Sequence, residues 1–224
     1  MNPILLVKDL TKTYKLDSVE TQALRGVSLG VGPGEFTALA GPSGSGKSTL
    51  LHLMGGLDKP SSGEVWLAGE RIDPLEKGRL ADLRLWNVGF VFQAYNLIPV
   101  LTALENAAFV LELRGESRAE REKKAMAALE TLGMAAYADR RPNQLSGGQQ
   151  QRVAVARALA AGPKIILADE PTANLDSKTG LALIEHLHKL NREEGVTFVF
   201  STHDPRLLER VNRVVRLEDG RIAA

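Results

Sequence analysis

The chain has 224 residues, which is long enough for one large domain with a substantial buried interior. Hydrophobic residues make up 44% of it and charged residues 25%, so the composition is that of a globular protein and excludes extensive disorder. A net charge of +1 argues against a nucleic-acid partner, and the lack of cysteine excludes disulfide frameworks and thiolate metal sites.

The N-terminal part of the chain is predicted to be rich in β-strands. Short apolar runs separated by glycine and proline turns lie at residues 4–7, 27–31, 36–40 and 65–67. The third run leads into the glycine-rich segment GPSGSGKST and then into a helical pattern, so strand, tight turn and helix follow one another. A further apolar strand, at residues 88–92, ends at Gln93.

The middle of the chain is predicted to be helical. The segments TALE (102–105) and SRAE (117–120) have the spacing of a capping box, in which a hydroxyl and a carboxylate satisfy free N–H groups at a helix start. A third helix, after Ser146, ends at the Gly-Pro pair 162–163. These features predict a helical insert over residues 94–161.

The C-terminal part returns to alternating strands and helices. Apolar strands at residues 165–168 and 196–200 flank a helical pattern at residues 178–192. A hairpin is expected at residues 214–222, around the turn formed by Asp219 and Gly220. Because strands and helices alternate on both sides of the insert, the sequence predicts an α/β fold.

The apolar segments are too short or too interrupted to cross a membrane. A spanning helix needs roughly 18 or more apolar residues in a row. The most apolar candidate, residues 98–113, is broken by Glu105 and Asn106. The first residues, MNPILLVKDL, lack the basic region and long apolar stretch of a signal peptide. We therefore expect a chain that does not span a membrane but could dock on one.

Residues 41–48, GPSGSGKS, match the phosphate-binding pattern G-x-x-x-x-G-K-[ST]. Glycines let successive backbone N–H groups turn towards phosphate oxygens, and the dipole of the following helix adds partial positive charge. Lys47 contributes a full positive charge, and Ser48 offers a hydroxyl to Mg²⁺. Since a strand precedes this loop and a helix follows it, we expect it to bind a nucleoside triphosphate.

An acidic partner for Mg²⁺ is expected at the end of a neighbouring strand. The strand at residues 165–168 is followed by Asp169, which suits a metal, and by Glu170, which suits activation of an attacking water. Gln93 and His203 also follow strands, and ligands of open α/β sheets gather at such strand ends. From the residues alone, each of these two could equally be an ordinary solvated or structural residue.

A second helix start with the character of an anion site lies at residues 145–149, LSGGQ. Ser146, Gly147 and Gly148 precede a strongly helical run, and such starts present free N–H groups to anions. Two such sites in one chain would be redundant if both bound the same nucleotide.

Together these motifs resemble those of the ATP-binding cassette (ABC) ATPases. GPSGSGKST, Gln93, LSGGQ, LADEP and His203 follow one another in the order and approximate spacing of that family, over nearly the whole chain. The stretches HLMGGLDKPSSGEV and LADEPTANLDSKTG are most similar to the branch with lipoprotein-releasing (LolD-type), macrolide-exporting (MacB-type) and cell-division (FtsE-type) ATPases. A mild departure is Ala173, since glycine or serine is often found near this position.

The resemblance implies a role for each matching position. Tyr14 would stack on adenine, although the residues alone also allow a core or edge aromatic. ATP would be held by the phosphate loop, namely Gly41, Pro42, Ser43, Gly44, Ser45, Gly46, Lys47, Ser48 and Thr49. Mg²⁺ would be held by Ser48, Gln93 and Asp169. Glu170 would be the general base, and the other catalytic residues would be His203, Gln93 and Lys47.

The resemblance also implies a dimer with shared sites. Ser146, Gly147, Gly148 and Gln149 would contact the γ-phosphate bound by the other subunit, and Asp176 would cross to that subunit. The implied assembly is a homodimer in the ATP-bound state. It would drive integral membrane permease subunits that are encoded separately, from the cytoplasmic, inner face of the cell membrane.

The implied architecture is a P-loop NTPase (RecA-like) core with an N-terminal antiparallel β subdomain and an inserted α-helical subdomain. The core would comprise residues 1–93 and 162–224, and the insert would comprise residues 94–161 with LSGGQ. Two other functions remain open. A non-transport ABC ATPase of FtsE-like type would act as a mechanical or scaffolding factor on a membrane partner. A P-loop kinase would need an arginine-bearing lid and would leave LSGGQ unexplained.

Overall fold

A computed structural model describes residues 2–16 and 19–223 of the chain. The strands are β1 (Leu5–Leu16), β2 (Val19–Val31), β3 (Phe36–Ala40), β4 (Ser62–Leu67), β5 (Glu70–Arg71), β6 (Val88–Val91), β7 (Ile165–Asp169), β8 (Thr197–Ser201), β9 (Arg213–Glu218) and β10 (Arg221–Ile222). The helices are α1 (Lys47–Met54), α2 (Lys77–Asn87), α3 (Ala103–Leu113), α4 (Arg118–Thr131), α5 (Gly147–Ala160), α6 (Ser177–Glu194) and α7 (Pro205–Leu208). None of the helices in the described ranges is both long and apolar enough to cross a bilayer.

The strands form two sheets. One has the order β2-β1-β4-β5 and pairs its strands antiparallel. The other has the order β10-β9-β3-β8-β7-β6, and all its neighbours except β10 and β9 are parallel. This arrangement confirms the predicted α/β fold with an N-terminal antiparallel sheet.

The parallel strands bring the candidate site residues to one edge of the second sheet. Ser201 at the end of β8 lies opposite Leu39 of β3 on one side and Asp169 of β7 on the other. Because parallel strands share the direction of their carboxyl ends, the segments that follow them meet at that edge. Those segments carry the phosphate loop, Gln93, Glu170 and His203.

The core lies on both faces of the parallel sheet. Every residue of β3 and β8 is buried, which explains why both strands are mostly apolar rather than alternating between apolar and polar residues. Phe36, Phe198 and Phe200 pack in one cluster with apolar residues of α3 to α6. Leu39 and Val199 point to the other face, towards α1 and the antiparallel sheet. The helices of the predicted insert thus share a core with the sheet, and the boundaries at residues 94 and 161 stay a prediction.

Most of the predicted elements are confirmed, but β1 and β2 are much longer than the runs predicted at residues 4–7 and 27–31, and β5 was not predicted. Three further differences concern the helices. Helix α2 was not predicted, because Leu80 and Leu83 are its only buried apolar residues and give no clear helical stripe. The four-residue helix α7 was also missed. The capping box at 102–105 forms completely, whereas at 117–120 only one half forms, from the Glu120 N–H to the Ser117 hydroxyl at 3.4 Å.

Candidate active site

The phosphate loop connects β3 to α1 through backbone conformations that only glycine adopts easily. Gly41 and Gly46 have φ values of 153° and 100°. A Cβ atom on Gly41 would lie 2.1 Å from the Leu217 carbonyl oxygen, and one on Gly46 would lie 2.6 Å from that of Ala23. Helix α1 begins at Lys47 without a side-chain cap on its first turn. Its first N–H groups have no acceptor within the helix and point towards the loop, where they could donate hydrogen bonds to an anion.

Lys47 lies almost buried beneath this loop, with 7% of its surface exposed. Its ammonium group donates to the carbonyl oxygens of Gly41 and Pro42, both at 2.8 Å. An ammonium group has three N–H donors, so one remains for a ligand. Held by carbonyls, Lys47 supplies a fixed positive charge to the centre of the loop.

Ser48 and Asp169 form an oxygen pair at the mouth of the loop. The Ser48 hydroxyl lies 2.8 Å from Oδ1 of Asp169, and the Nε2 atom of His52 lies 3.8 Å from the other carboxylate oxygen. In the described ranges, no group of three or more His, Cys, Asp and Glu residues could hold a metal by itself. One hydroxyl and one carboxylate nevertheless fit Mg²⁺, which takes its other ligands from phosphates and water.

Glu170 follows β7 in a left-handed conformation with φ of 46°, which is unusual for a residue other than glycine. Its backbone N–H donates to the Ser201 carbonyl at 2.8 Å, which fixes it to the end of β8. Its carboxylate is 13% exposed and lies 2.8 Å from Nδ1 of His203, whose ring is 73% exposed. The strained backbone therefore aims a sheltered carboxylate at the site, with an accessible imidazole beside it.

A single cleft of about 560 Å³ connects these groups. The predicted residues that line it are those of the phosphate loop except Ser45, together with Gln93, Glu170 and His203. Ser45 is buried behind the loop, and Asp169 reaches the cleft through its contact with Ser48. Ala23 of β2 also lines the cleft and was not predicted, because a small residue within a strand carries no chemical signal.

Tyr14 lies on β1, outside this set of lining residues, and is 42% exposed. Its hydroxyl donates to Asp58 at 3.0 Å, and the Lys12 ammonium lies 4.8 Å from the ring centroid. Burial alone would raise the pKa of Asp58, but hydrogen bonds from Lys12, the Lys59 backbone and Tyr14 bring it below its usual value. The charged carboxylate and the lysine therefore fix the orientation of an exposed aromatic ring.

The LSGGQ residues also lie apart from the cleft lining. Ser146 caps α5 through a complete capping box, accepting from the Gln149 N–H at 3.3 Å while Gln149 accepts from the Ser146 N–H at 2.9 Å. Asp176 caps α6 in a similar way, accepting from the N–H groups of residues 178 and 179. A Cβ atom on Gly148 would lie 2.3 Å from Thr179, so the two helix starts are in contact. The two predicted partner-facing motifs thus lie in contact with each other, and none of their residues is among the described residues that line their own chain's cleft.

Comparison with known proteins finds relatives that match nearly the whole chain. A family model described as ABC transporter matches residues 24–173. An uncharacterized ABC transporter ATP-binding protein of Thermotoga maritima is 49% identical and covers 99% of this chain and 94% of its own. The lipoprotein-releasing system ATP-binding protein LolD 2 of Caulobacter vibrioides is 46% identical, with 99% and 97% covered.

A solved structure with the same fold is the ATP-binding cassette MJ0796 of Methanocaldococcus jannaschii. It is described as the dimeric structure of a post-hydrolysis state bound to ADP and Pi. It superposes with a TM-score of 0.92 at 46% identity and covers 98% of this chain and 97% of its own. These similarities confirm the resemblance inferred from the motifs.

Proposed function

This chain belongs to the ABC transporter ATP-binding family, and we propose that it hydrolyses ATP with Mg²⁺ as a two-site homodimer that drives a separately encoded membrane protein. The observation that carries the proposal is the separation of Ser146 from the cleft that holds Lys47, Glu170 and His203. The start of α5 is suited to bind an anion, but its residues are not among the described residues that line the cleft of its own chain. This placement suits binding to the cleft of a second copy.

The residues of the cleft account for hydrolysis step by step. The loop N–H groups and Lys47 bind and orient the phosphates. Ser48 with Asp169 would hold Mg²⁺, which would neutralise negative charge on the phosphates. Water attacks the γ-phosphorus while the bond from that phosphorus to the bridging oxygen of ADP breaks. Glu170 accepts the proton released by the water. His203 and Gln93 place polar groups beside the γ-phosphate and the water, and the products are ADP and phosphate.

Two copies arranged around a two-fold axis would give two composite sites. Each would combine the phosphate loop of one copy with the start of α5 from the other. The Ser146 hydroxyl already accepts from Gln149, and its own proton remains available for donation to a phosphate oxygen. ATP would therefore stabilise the dimer by contacting both copies.

Tyr14 provides a test of how the base is bound. We expect Tyr14→Ala to raise the Kd for ATP about tenfold, since stacking of a base on an aromatic ring contributes roughly 1–3 kcal/mol. Tyr14→Phe keeps the ring but loses the hydrogen bond to Asp58, so its effect should be smaller. Titration of each variant with a fluorescent ATP analogue checks both expectations. Equal Kd values in the alanine variant and the parent would show that Tyr14 does not contribute to ATP binding.

The membrane partner is proposed to dock at the segment that follows Gln93. Leu97 packs partly against the core, whereas Val100 is 70% exposed in the same segment. An exposed apolar side chain there suits contact with an apolar helix of a partner, which would place the chain at the inner face of the membrane.

Val100→Glu tests this docking site. We expect it to weaken co-purification with the membrane subunit about tenfold or more, because a carboxylate would have to be desolvated at the contact. The matched control is Ile222→Glu, which introduces the same charge at an exposed apolar residue of β10. The measurement is recovery of the membrane protein with the tagged chain from native membranes. Equal recovery with both variants would exclude docking at Val100.

Identification of the recovered protein distinguishes the remaining functions. The similarity to LolD 2 supports a lipoprotein-releasing or related export system. A membrane partner that belongs to the division apparatus would instead favour a mechanical or scaffolding role of FtsE-like type.

A further inference from the structure

The turn formed by residues 93–96, called the Gln93 turn below, has an unusual backbone. Tyr95 and Asn96 are consecutive residues with φ values of 60° and 50°. L-residues other than glycine adopt this left-handed region rarely, and two in succession are rarer still. Such a conformation persists where the surrounding structure holds it in place.

Side chains from two other elements hold this turn by its carbonyl groups. Arg157 of α5 donates to the Asn96 oxygen at 2.6 Å and to the Tyr95 oxygen at 3.0 Å. Asn174, in the loop before α6, donates to the Gln93 oxygen at 2.9 Å. Three of the four carbonyls in the turn are therefore bound from outside it.

The elements that supply these donors also carry the motifs proposed to face the partner subunit. Arg157 shares α5 with Gly147, and Asn174 lies two residues before Asp176. A Cβ atom on Gly147 would lie 2.8 Å from the Tyr95 hydroxyl and 3.9 Å from the Asn174 carbonyl oxygen. The Gln93 turn, the start of α5 and the loop before α6 thus interlock.

Arg157 differs from a typical surface arginine in its surroundings. It is half-buried, burial lowers its pKa, and its partners are carbonyl groups rather than carboxylates. Withdrawing a guanidinium from water is costly unless hydrogen bonds replace its hydration. Its planar fork reaches two acceptors at fixed spacing, which a lysine ammonium does not reproduce.

We propose that Arg157, with Asn174 on the exposed side, is a positioning residue that fixes the Gln93 turn to the start of α5. The inference rests on the proposed function, in which Gln93 lines the cleft of its own chain and Ser146 of the same chain contacts the nucleotide in the cleft of the second copy. Arg157 would connect these two residues. When the membrane partner docks, a movement of the segment around Val100 would then displace Gln93 and Ser146 together. Arg157 touches neither nucleotide nor water in this role.

The test compares Arg157→Lys with Arg114→Lys. Arg114 is a matched control, because it is also partly buried and also binds two backbone carbonyls, those of Leu85 and Ala161, but away from the Gln93 turn. We expect Arg157→Lys to lower kcat for ATP about 10- to 100-fold, because Gln93 would lose its fixed position beside the γ-phosphate and the water. The Kd for ATP should stay within about twofold of the parent. Arg114→Lys should lower the melting temperature at least as much but change kcat less than about twofold.

Two results would overturn the proposal, namely a kcat for Arg157→Lys close to that of the parent, or equal losses of kcat in both lysine variants. Should Arg157→Lys fail to fold, Asn174→Ala tests the same connection from its exposed side, and a normal kcat in that variant would overturn it. Measurements on the parent chain distinguish a failure of the proposed function from a failure of the role of Arg157. If it neither hydrolyses ATP nor dimerises with it, the proposed function fails. If it does both while Arg157→Lys matches its kcat, only the role of Arg157 is wrong.

Discussion

Replacing Glu170 with glutamine is expected to lower kcat for ATP by about 10²- to 10⁴-fold and to leave two copies of the chain held together by bound ATP. Glutamine has nearly the same shape but cannot accept the proton of the attacking water at neutral pH. The backbone at this position is fixed by the hydrogen bond to Ser201, which does not involve the side chain. Nucleotide binding should therefore persist while the chemical step is lost.

Light scattering of the purified Glu170→Gln variant checks the second half of this expectation. In the presence of ATP and Mg²⁺ its mass should double, and it should return to the monomer when the nucleotide is removed. Glu193→Gln is a suitable control, because Glu193 lies on α6 and forms an exposed ion pair with Lys189. A Glu170→Gln protein that hydrolyses ATP at the parent rate would contradict the assignment of the general base. A variant that stays monomeric with ATP would contradict the shared site.

Most of the fold was predictable because its signals are local. Helix α6 was evident from apolar residues at positions 181, 184, 187 and 190, which recur at helical spacing, and the last three of them are buried. Helix α2 was not, since its few buried residues do not make such a pattern. The half-formed capping box at Ser117 shows that the spacing identifies groups that can bond but does not ensure that both hydrogen bonds form.

The residues of the site likewise fall into those that the sequence predicts and those that it does not. The placement of Lys47, Glu170 and His203 at one cleft was predictable, because each lies in a segment that follows a strand and the parallel sheet brings strand ends together. Asp169 was predictable in the same way, as the last residue of β7. Arg157 was not, since its acceptors lie 61 and 62 residues away in the sequence and are backbone carbonyls without side-chain identity. The orientation of Tyr14 was also hidden, because it depends on Asp58, which is 44 residues distant.

Ser146→Arg is expected to abolish turnover while leaving the binding of ATP to the monomer within about twofold of the parent. The cleft proposed to bind ATP within one chain does not include Ser146 among its described lining residues, so its affinity should not depend on this side chain. The arginine would remove the cap of α5 and place a bulky group where the γ-phosphate of the other copy is proposed to lie.

Loss of the cap alone could lower stability by about 0.5–2 kcal/mol, and a control must separate that effect from loss of the shared site. Ser117→Arg serves this purpose. Ser117 is also an exposed serine that caps a helix by accepting from the N–H three residues later, but it lies on α4. The two variants should have similar melting temperatures, and only Ser146→Arg should lose turnover and ATP-dependent dimerisation. Equal losses of turnover in both would mean that the start of α5 matters for stability rather than for the nucleotide of the second copy.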